Sequence, residues 1–143
     1  MTTLIDLKKS INQVLKDNFP NIKIYPSETK EGFQRPAFFT QVIPVTTEYE
    51  TVNFSSNIVM IVINYFSKNG TEIENLKMDD ELRKAFKMTL KVNQRSLLLK
   101  NIRSEIVDEV LQFRFDLNYF VDIEKIDEHE IMQELNTEII KEE

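Results

Sequence analysis

Between Leu111 and Phe120 the chain alternates without a break. Leu111, Phe113, Phe115, Leu117 and Tyr119 are apolar or aromatic, and Gln112, Arg114, Asp116 and Asn118 between them are polar. An extended strand sorts these two sets onto opposite faces, whereas a helix would scatter them. The greasy face must meet a core. The polar face meets water, a substrate, or another copy of the same chain.

What lies before this strand decides what it can pair with. The segment "SLLLKNIRSEI" precedes it, joined through Val107–Val110. A hairpin turning at Asp108–Glu109 sets Arg103 opposite Arg114 and Glu105 opposite Gln112. Like charges directly opposite one another are destabilising unless something neutralises them. Asp116, diagonal to Arg114, is one candidate, and a neighbouring subunit's carboxylate is another. Exposed long side chains that simply splay apart fit as well.

Upstream, Thr3 and Asp6 have the spacing of a capping box, with Asp for Glu. Leu4, Leu7, Ile11, Val14 and Leu15 then predict a helix from Leu4 to Asn18, stopped by Pro20. A short strand is expected at Ile22–Tyr25. A polar loop, "SETKEGFQRP", leads to the strand "AFFTQVIPV", whose Pro44 belongs at a sheet edge or a bulge. "TTEYETVNFSSN" reads as the tip of an extended hairpin returning through Ile58–Phe66. That strand is apolar on both faces up to Asn64, which predicts a central position covered on both sides. Thr71 and Glu74 open a second helix with Ile73, Leu76, Met78, Leu82 and Phe86 as its buried stripe, ending near Met88. "TLKV" is a short strand.

Strands that follow one another without intervening helices favour hairpins. The expected class is therefore α+β: a mostly antiparallel sheet with two helices on one face, a long hairpin, and an acidic C-terminal helix or tail. With 143 residues, one domain of 1–123 and an extension of 124–143 are expected. A folded chain of this size buries roughly 68–70% of its extended surface, so its core needs neither metal nor disulfide.

The charge is distributed unevenly. Residues 124–143 hold eight acidic and two basic side chains, and the remaining chain holds sixteen of each sign. A neutral domain with an acidic extension is poorly suited to nucleic acid, which rewards a basic face. In the extension, Ile131, Leu135 and Ile139 recur every fourth residue on one helical face, with Met132 beside them. A helix this short is marginal alone. Its partner is the chain's own domain or an adjacent subunit, unless the extension stays disordered. The opening residues do not read as a secretory signal, and the longest apolar run, Ile58–Ile63, is too short to span a bilayer.

The chemistry of catalysis is hard to assemble from these residues. The chain has no Cys, and its one histidine, His129, sits in the acidic extension. That removes thiolate nucleophiles and Cys-based zinc sites, and leaves no base beside a domain nucleophile. Asp79 and Asp80 are helix neighbours about 100° apart, so they diverge. Asp116 and Asp122 are lone strand carboxylates, and a hard cation wants several oxygens. Two glycines, Gly32 and Gly70, are too few for a phosphate-binding loop. Phe113–Arg114–Phe115 resembles a base-stacking pattern, but the alternation turns both rings inward, away from Arg114. No cofactor, metal, specific nucleic-acid or membrane partner is expected.

The segments "GFQRPAFF", "NYFS", "MTLKV" and "NIRSEIVDEVLQFRFDLNY" resemble, in the same order over residues 4–122, the small tail terminator proteins of long-tailed bacteriophages and prophages of Gram-positive bacteria. One departure is Glu109, where the family pattern has Gly after the hairpin Asp. Asp-Gly suits a two-residue turn with positive φ at both positions, so a different turn or a longer loop is expected here. The extension beyond Glu124 lies outside the shared region.

The resemblance implies a non-enzymatic virion protein at the head-proximal end of the tail, made in the host cytoplasm. Such proteins cap the tail tube as a ring, typically hexameric, stop its polymerisation, and present a docking surface to the head connector. The implied partners are further copies of the chain, the tube protein and the head-completion protein. On exposure and length, Arg103, Glu105, Arg114 and Asp116 are candidate subunit-interface residues. Glu48, Tyr49, Glu50 and Asn53 are candidate tube contacts, and Lys30, Phe33 and Arg35 form a second candidate contact loop. A head-completion or neck adaptor protein is the alternative, with a small carboxylate-metal enzyme behind it.

Overall fold

The computed structural model describes residues 2–26 and 31–122. Helix α1 spans Leu4–Asn18, and the strands are β1 (Lys23–Tyr25), β2 (Ala37–Thr51) and β3 (Phe54–Phe66). Helix α2 (Glu72–Phe86) follows, then β4 (Thr89–Val92), β5 (Arg95–Val107) and β6 (Val110–Asp122). The strands form one six-stranded sheet in the order β1-β2-β3-β6-β5-β4. All neighbours are antiparallel except β1 and β2. The fold is α+β.

The alternation in β6 sets the two faces. Leu111, Phe113, Phe115 and Leu117 are essentially fully buried. Phe113 and Phe115 stand opposite Ile63 and Ile61 of β3, so one face of the central strands is continuous hydrocarbon. Both helices pack on it. Leu7, Ile11 and Leu15 of α1 and Met78, Leu82 and Phe86 of α2 complete the core. The Phe86 ring lies 5.3 Å from Phe115. This is the inner face.

The α1 capping box forms as its spacing predicts: Asp6 N donates to Thr3 Oγ1 and Thr3 N donates to Asp6 Oδ2. Leu4, at the start of the predicted stripe, is nevertheless 39% exposed. In α2 Thr71 Oγ1 accepts from Glu74 N, and the Glu74 carboxylate accepts chiefly from Asn69 N and Nδ2. The α2 stripe is also displaced. Ile73 and Leu76 are exposed, Asn75 is fully buried, and the helix ends at Phe86. Asn75 is the residue turned inward in the first turn: its Nδ2 donates to Glu109 O at 3.0 Å, while its Oδ1 is buried without a partner among the described residues.

Of two expectations about hairpins, one is met and one corrected. Residues 46–57 are the end of an extended hairpin, as expected, and its strands run further than the apolar segments do: β2 and β3 pair as far as Thr51↔Phe54, with irregularities after Pro44 and Tyr49. Thr and Tyr favour the extended chain, so the polar stretch is two wet strands around a two-residue turn. The β5–β6 turn is likewise short. Val107 pairs with Val110, and Asp108 and Glu109 take φ values of 50° and 68°. The hairpin keeps the tight turn without the glycine. Pro44 sits at a bulge, on a strand whose far edge is unpaired beyond Phe39. Strand β3 is central, and in its outer row Val62 is buried while Ile58, Met60 and Asn64 are only half-buried.

Candidate surface for assembly

The outer face of the sheet carries the polar half of β6. Gln112, Arg114, Asp116 and Asn118 lie opposite Asn64, Val62, Met60 and Ile58 of β3. On the other side Arg103 stands opposite Arg114 and Glu105 opposite Gln112, the register expected from the hairpin. Among the described residues, neither helix lies on this face.

The two arginines resolve their repulsion unequally. A bulge between Lys100 and Arg103, with Asn101 at φ 54°, turns Arg103 toward Asp116. Arg103 Nη1 lies 3.4 Å from Asp116 Oδ1 and donates to Asn101 O at 2.8 Å. Its Nη2 lies 3.1 Å from Met60 Sδ. Asp116, the residue expected to relieve Arg114, is thereby committed to Arg103. Arg114 donates to Gln112 Oε1, and its Nε is buried without an acceptor among the described residues. Glu105 is exposed. A half-buried guanidinium lacking a carboxylate is a poor monomer feature and a good interface feature.

The candidate tube contacts sit on the β2–β3 hairpin. Glu48, Tyr49 and Glu50 are exposed on β2, Tyr49 at 69% and the neighbouring turn residue Val52 at 88%. Asn53 completes the turn, its N–H facing Thr51 Oγ1 at 3.4 Å. Strand β6 pairs with β3 to the end, Phe54↔Asp122, so three strands support this projection. Phe54 and Phe120 stack at 5.2 Å on its outer side.

The second candidate loop behaves differently. Phe33 is packed edge-on against Phe39 and Phe66, each at 5.0 Å, beside Tyr25. Arg35 lies over the Phe66 ring and donates to Ser67 O at 3.2 Å. These two residues fasten the loop to the sheet, which leaves them less to offer a partner. Lys30 lies outside the described residues. Periodicity does not reveal this aromatic cluster, because its members come from four segments: β1, the loop, β2 and β3.

Among the described residues, no group of three or more His, Asp or Glu side chains is placed to hold a metal ion. No described helix is long and apolar enough to cross a membrane. Two carboxylates are held below their ordinary range by hydrogen bonds, and both do structural work. Asp6 is lowered first by the Thr3 backbone N–H, and Glu74 first by that of Asn69.

No curated protein matches the chain. A solved structure is similar at a TM-score of 0.49 and 12% identity, over 84% of this chain and 96% of its own. A family model described as "Phage tail terminator protein" matches residues 6–129. That span takes in α1 from Asp6 onward, α2, the whole sheet and the strip of Arg103, Arg114 and Asp116, and the chain belongs to the phage tail terminator family.

Proposed function

We propose that this protein closes the head-proximal end of a phage tail tube as a homo-oligomeric ring, six copies in the arrangement its family resemblance implies. The ring stops tube growth and presents a platform to the head-completion protein. The observation that carries this reading is the family match over residues 6–129. The shape of the subunit supports it. A ring needs head-to-tail contacts, in which one flank of each copy meets a different flank of the next. The sheet offers unlike flanks: the helix-free outer face with Arg114, and the exposed edge of β2.

In this arrangement the strip of Arg103, Glu105, Arg114 and Asp116 lies at the subunit junction. The β2–β3 hairpin, through Glu48, Tyr49, Glu50 and Asn53, meets the tube. The protein performs no turnover; its work is to complete a surface.

The test is assembly. Tail tubes from a phage lacking the terminator are mixed with the purified protein and imaged by negative stain, with light scattering on the protein alone. The expected result is ring-shaped density at one tube end and loss of further elongation. A protein that stays monomeric and binds neither end of the tube overturns the reading.

A further inference from the structure

One groove is both apolar and basic. It runs between α1 and the unpaired edge of β2, with a volume of about 440 Å³, lined by Leu4, Ile5, Lys8, Lys9, Val42 and Ile43 among others. Ile5 is 68% exposed and Leu4 39% exposed, so helix and edge present hydrocarbon to the groove with two ammonium groups at its rim. The chain holds a segment of complementary character. Residues 124–143 carry eight acidic side chains, and the Ile131–Leu135–Ile139 stripe is flanked by Glu130, Glu134 and Glu138. These residues lie outside the described part of the chain.

We propose that the chain's own acidic extension docks in the groove between α1 and β2, laying its Ile131–Leu135–Ile139 stripe on Leu4, Ile5 and Ile43 with its glutamates toward Lys8 and Lys9. The exit point of the chain favours this occupant. Arg95 joins the end of β6 to the start of α1: its Nη1 donates to Phe120 O at 2.8 Å and lies 3.5 Å from Thr2 Oγ1. The extension therefore leaves β6 beside the mouth of the groove. The nine residues from Asp122 to Ile131 span up to ~30 Å when extended, whereas Leu4 to Lys9 cover only ~8 Å of helix. Three side chains spaced by four residues cover ~12 Å of a helix axis, the length of α1 between Leu4 and Asn12. A tethered segment this close acts at an effective concentration in the millimolar range, well ahead of a neighbour's copy in dilute solution. The other exposed apolar pair, Ile73 and Leu76, is the poorer seat, because Asp79 is paired with Arg83 and the remaining Glu72 and Asp80 outnumber Lys77 beside it, whereas the α1 groove has two lysines at its rim.

The docked extension covers a β2 edge that would otherwise be open to strand pairing with another chain. Because that edge is also one of the flanks offered to a ring, docking is tested on the free protein, where a failed cross-link leaves the ring reading untouched. The chain has no Cys, so an introduced pair reports contact cleanly. In the full chain, Ile5→Cys with Leu135→Cys is oxidised mildly at low micromolar concentration. The expected product is an internally cross-linked monomer on a non-reducing gel, at least fivefold more abundant than with the control pair Leu76→Cys and Leu135→Cys. Adding Lys8→Glu and Lys9→Glu lowers the yield at least threefold, with helix and sheet content unchanged by circular dichroism. A cross-linked dimer as the main product, a yield equal to the control, or no effect of the charge reversal each overturns the proposal.

Discussion

Glu109 is a non-glycine residue in a position that favours glycine. At φ 68°, following Asp108 at 50°, it closes a hairpin whose strands pair directly at Val107↔Val110. A left-handed conformation costs an L-residue roughly 1–2 kcal/mol, and the hydrogen bond from the buried Asn75 Nδ2 to Glu109 O helps hold it. Glu109→Gly relieves that strain while adding about 0.4–1 kcal/mol of unfolded-chain entropy to be lost. A net gain of roughly 0.5–1 kcal/mol is expected, read as a higher urea midpoint at unchanged slope. Asn75→Ala removes the support and should cost about 1 kcal/mol by the same measurement. Acid acts on a different residue of the same region. The Glu74 carboxylate is held below its ordinary range, chiefly by the Asn69 N–H. A lowered folded value means the stability it adds is fully present above the unfolded value of about 4.3 and is lost as pH falls through the folded one. Glu74→Gln should therefore flatten the fall in melting temperature across that acid range and leave the neutral-pH slope unchanged. An undiminished acid slope in the variant would refute the assignment.

At the scale of elements, β6 was the most legible part of the chain because its pattern has one interpretation. Period two with five large apolar residues fixes the inner face, and Phe113 and Phe115 are fully buried there. Phe115→Ala is expected to destabilise the fold by roughly 3–5 kcal/mol. Phe120→Ala, on the outer side of the same strand at 44% exposure, should cost under about 1.5 kcal/mol. Chemical denaturation of the two variants side by side checks the contrast. Helix α1 was legible for a related reason: its cap, Thr3, and its breaker, Pro20, immediately flank it in the sequence. The first turn of α2 was not, because Ile73 and Leu76 are outvoted by a polar side chain whose partner is 34 residues away. Local pattern cannot see that hydrogen bond. The β2–β3 hairpin was legible as a long hairpin, but the reach of its strands was not, since polar strands in water resemble a loop. Replacing Ile73 and Leu76 together by Gln and Lys should change stability by no more than about 0.5 kcal/mol, as surface changes do. A loss of several kcal/mol would return them to the core.

For the whole molecule, the register at the strip was readable and the partnering was not. Pairing around Asp108–Glu109 places Arg103 opposite Arg114, as the sequence implies, but a bulge at Asn101 decides which arginine takes Asp116. That choice separates two roles. Arg103 is satisfied within the subunit by Asp116, Asn101 O and Met60, so Arg103→Ala removes a partly exposed pair worth about 0.2–1 kcal/mol of fold stability. Arg114 has no carboxylate among the described residues and a buried Nε without an acceptor there, which makes it the side chain to test at the proposed subunit junction. If the completing group is a carboxylate on the next copy, Arg114→Glu sets two negative charges against each other at every junction of the ring. Because the junction repeats around the ring, a modest penalty per contact compounds. The expected result is a variant with a melting temperature within a few degrees of the parent. Its binding to tube ends should be weakened at least tenfold, or about 1.4 kcal/mol, and Arg103→Ala should bind nearly normally. Arg114→Lys retains the charge but loses the planar fork, and falls between them. Counting capped tube ends against protein concentration for the three variants ranks them. Equal capping by all three would mean that Arg114 faces solvent in the ring and that the subunits meet through another flank.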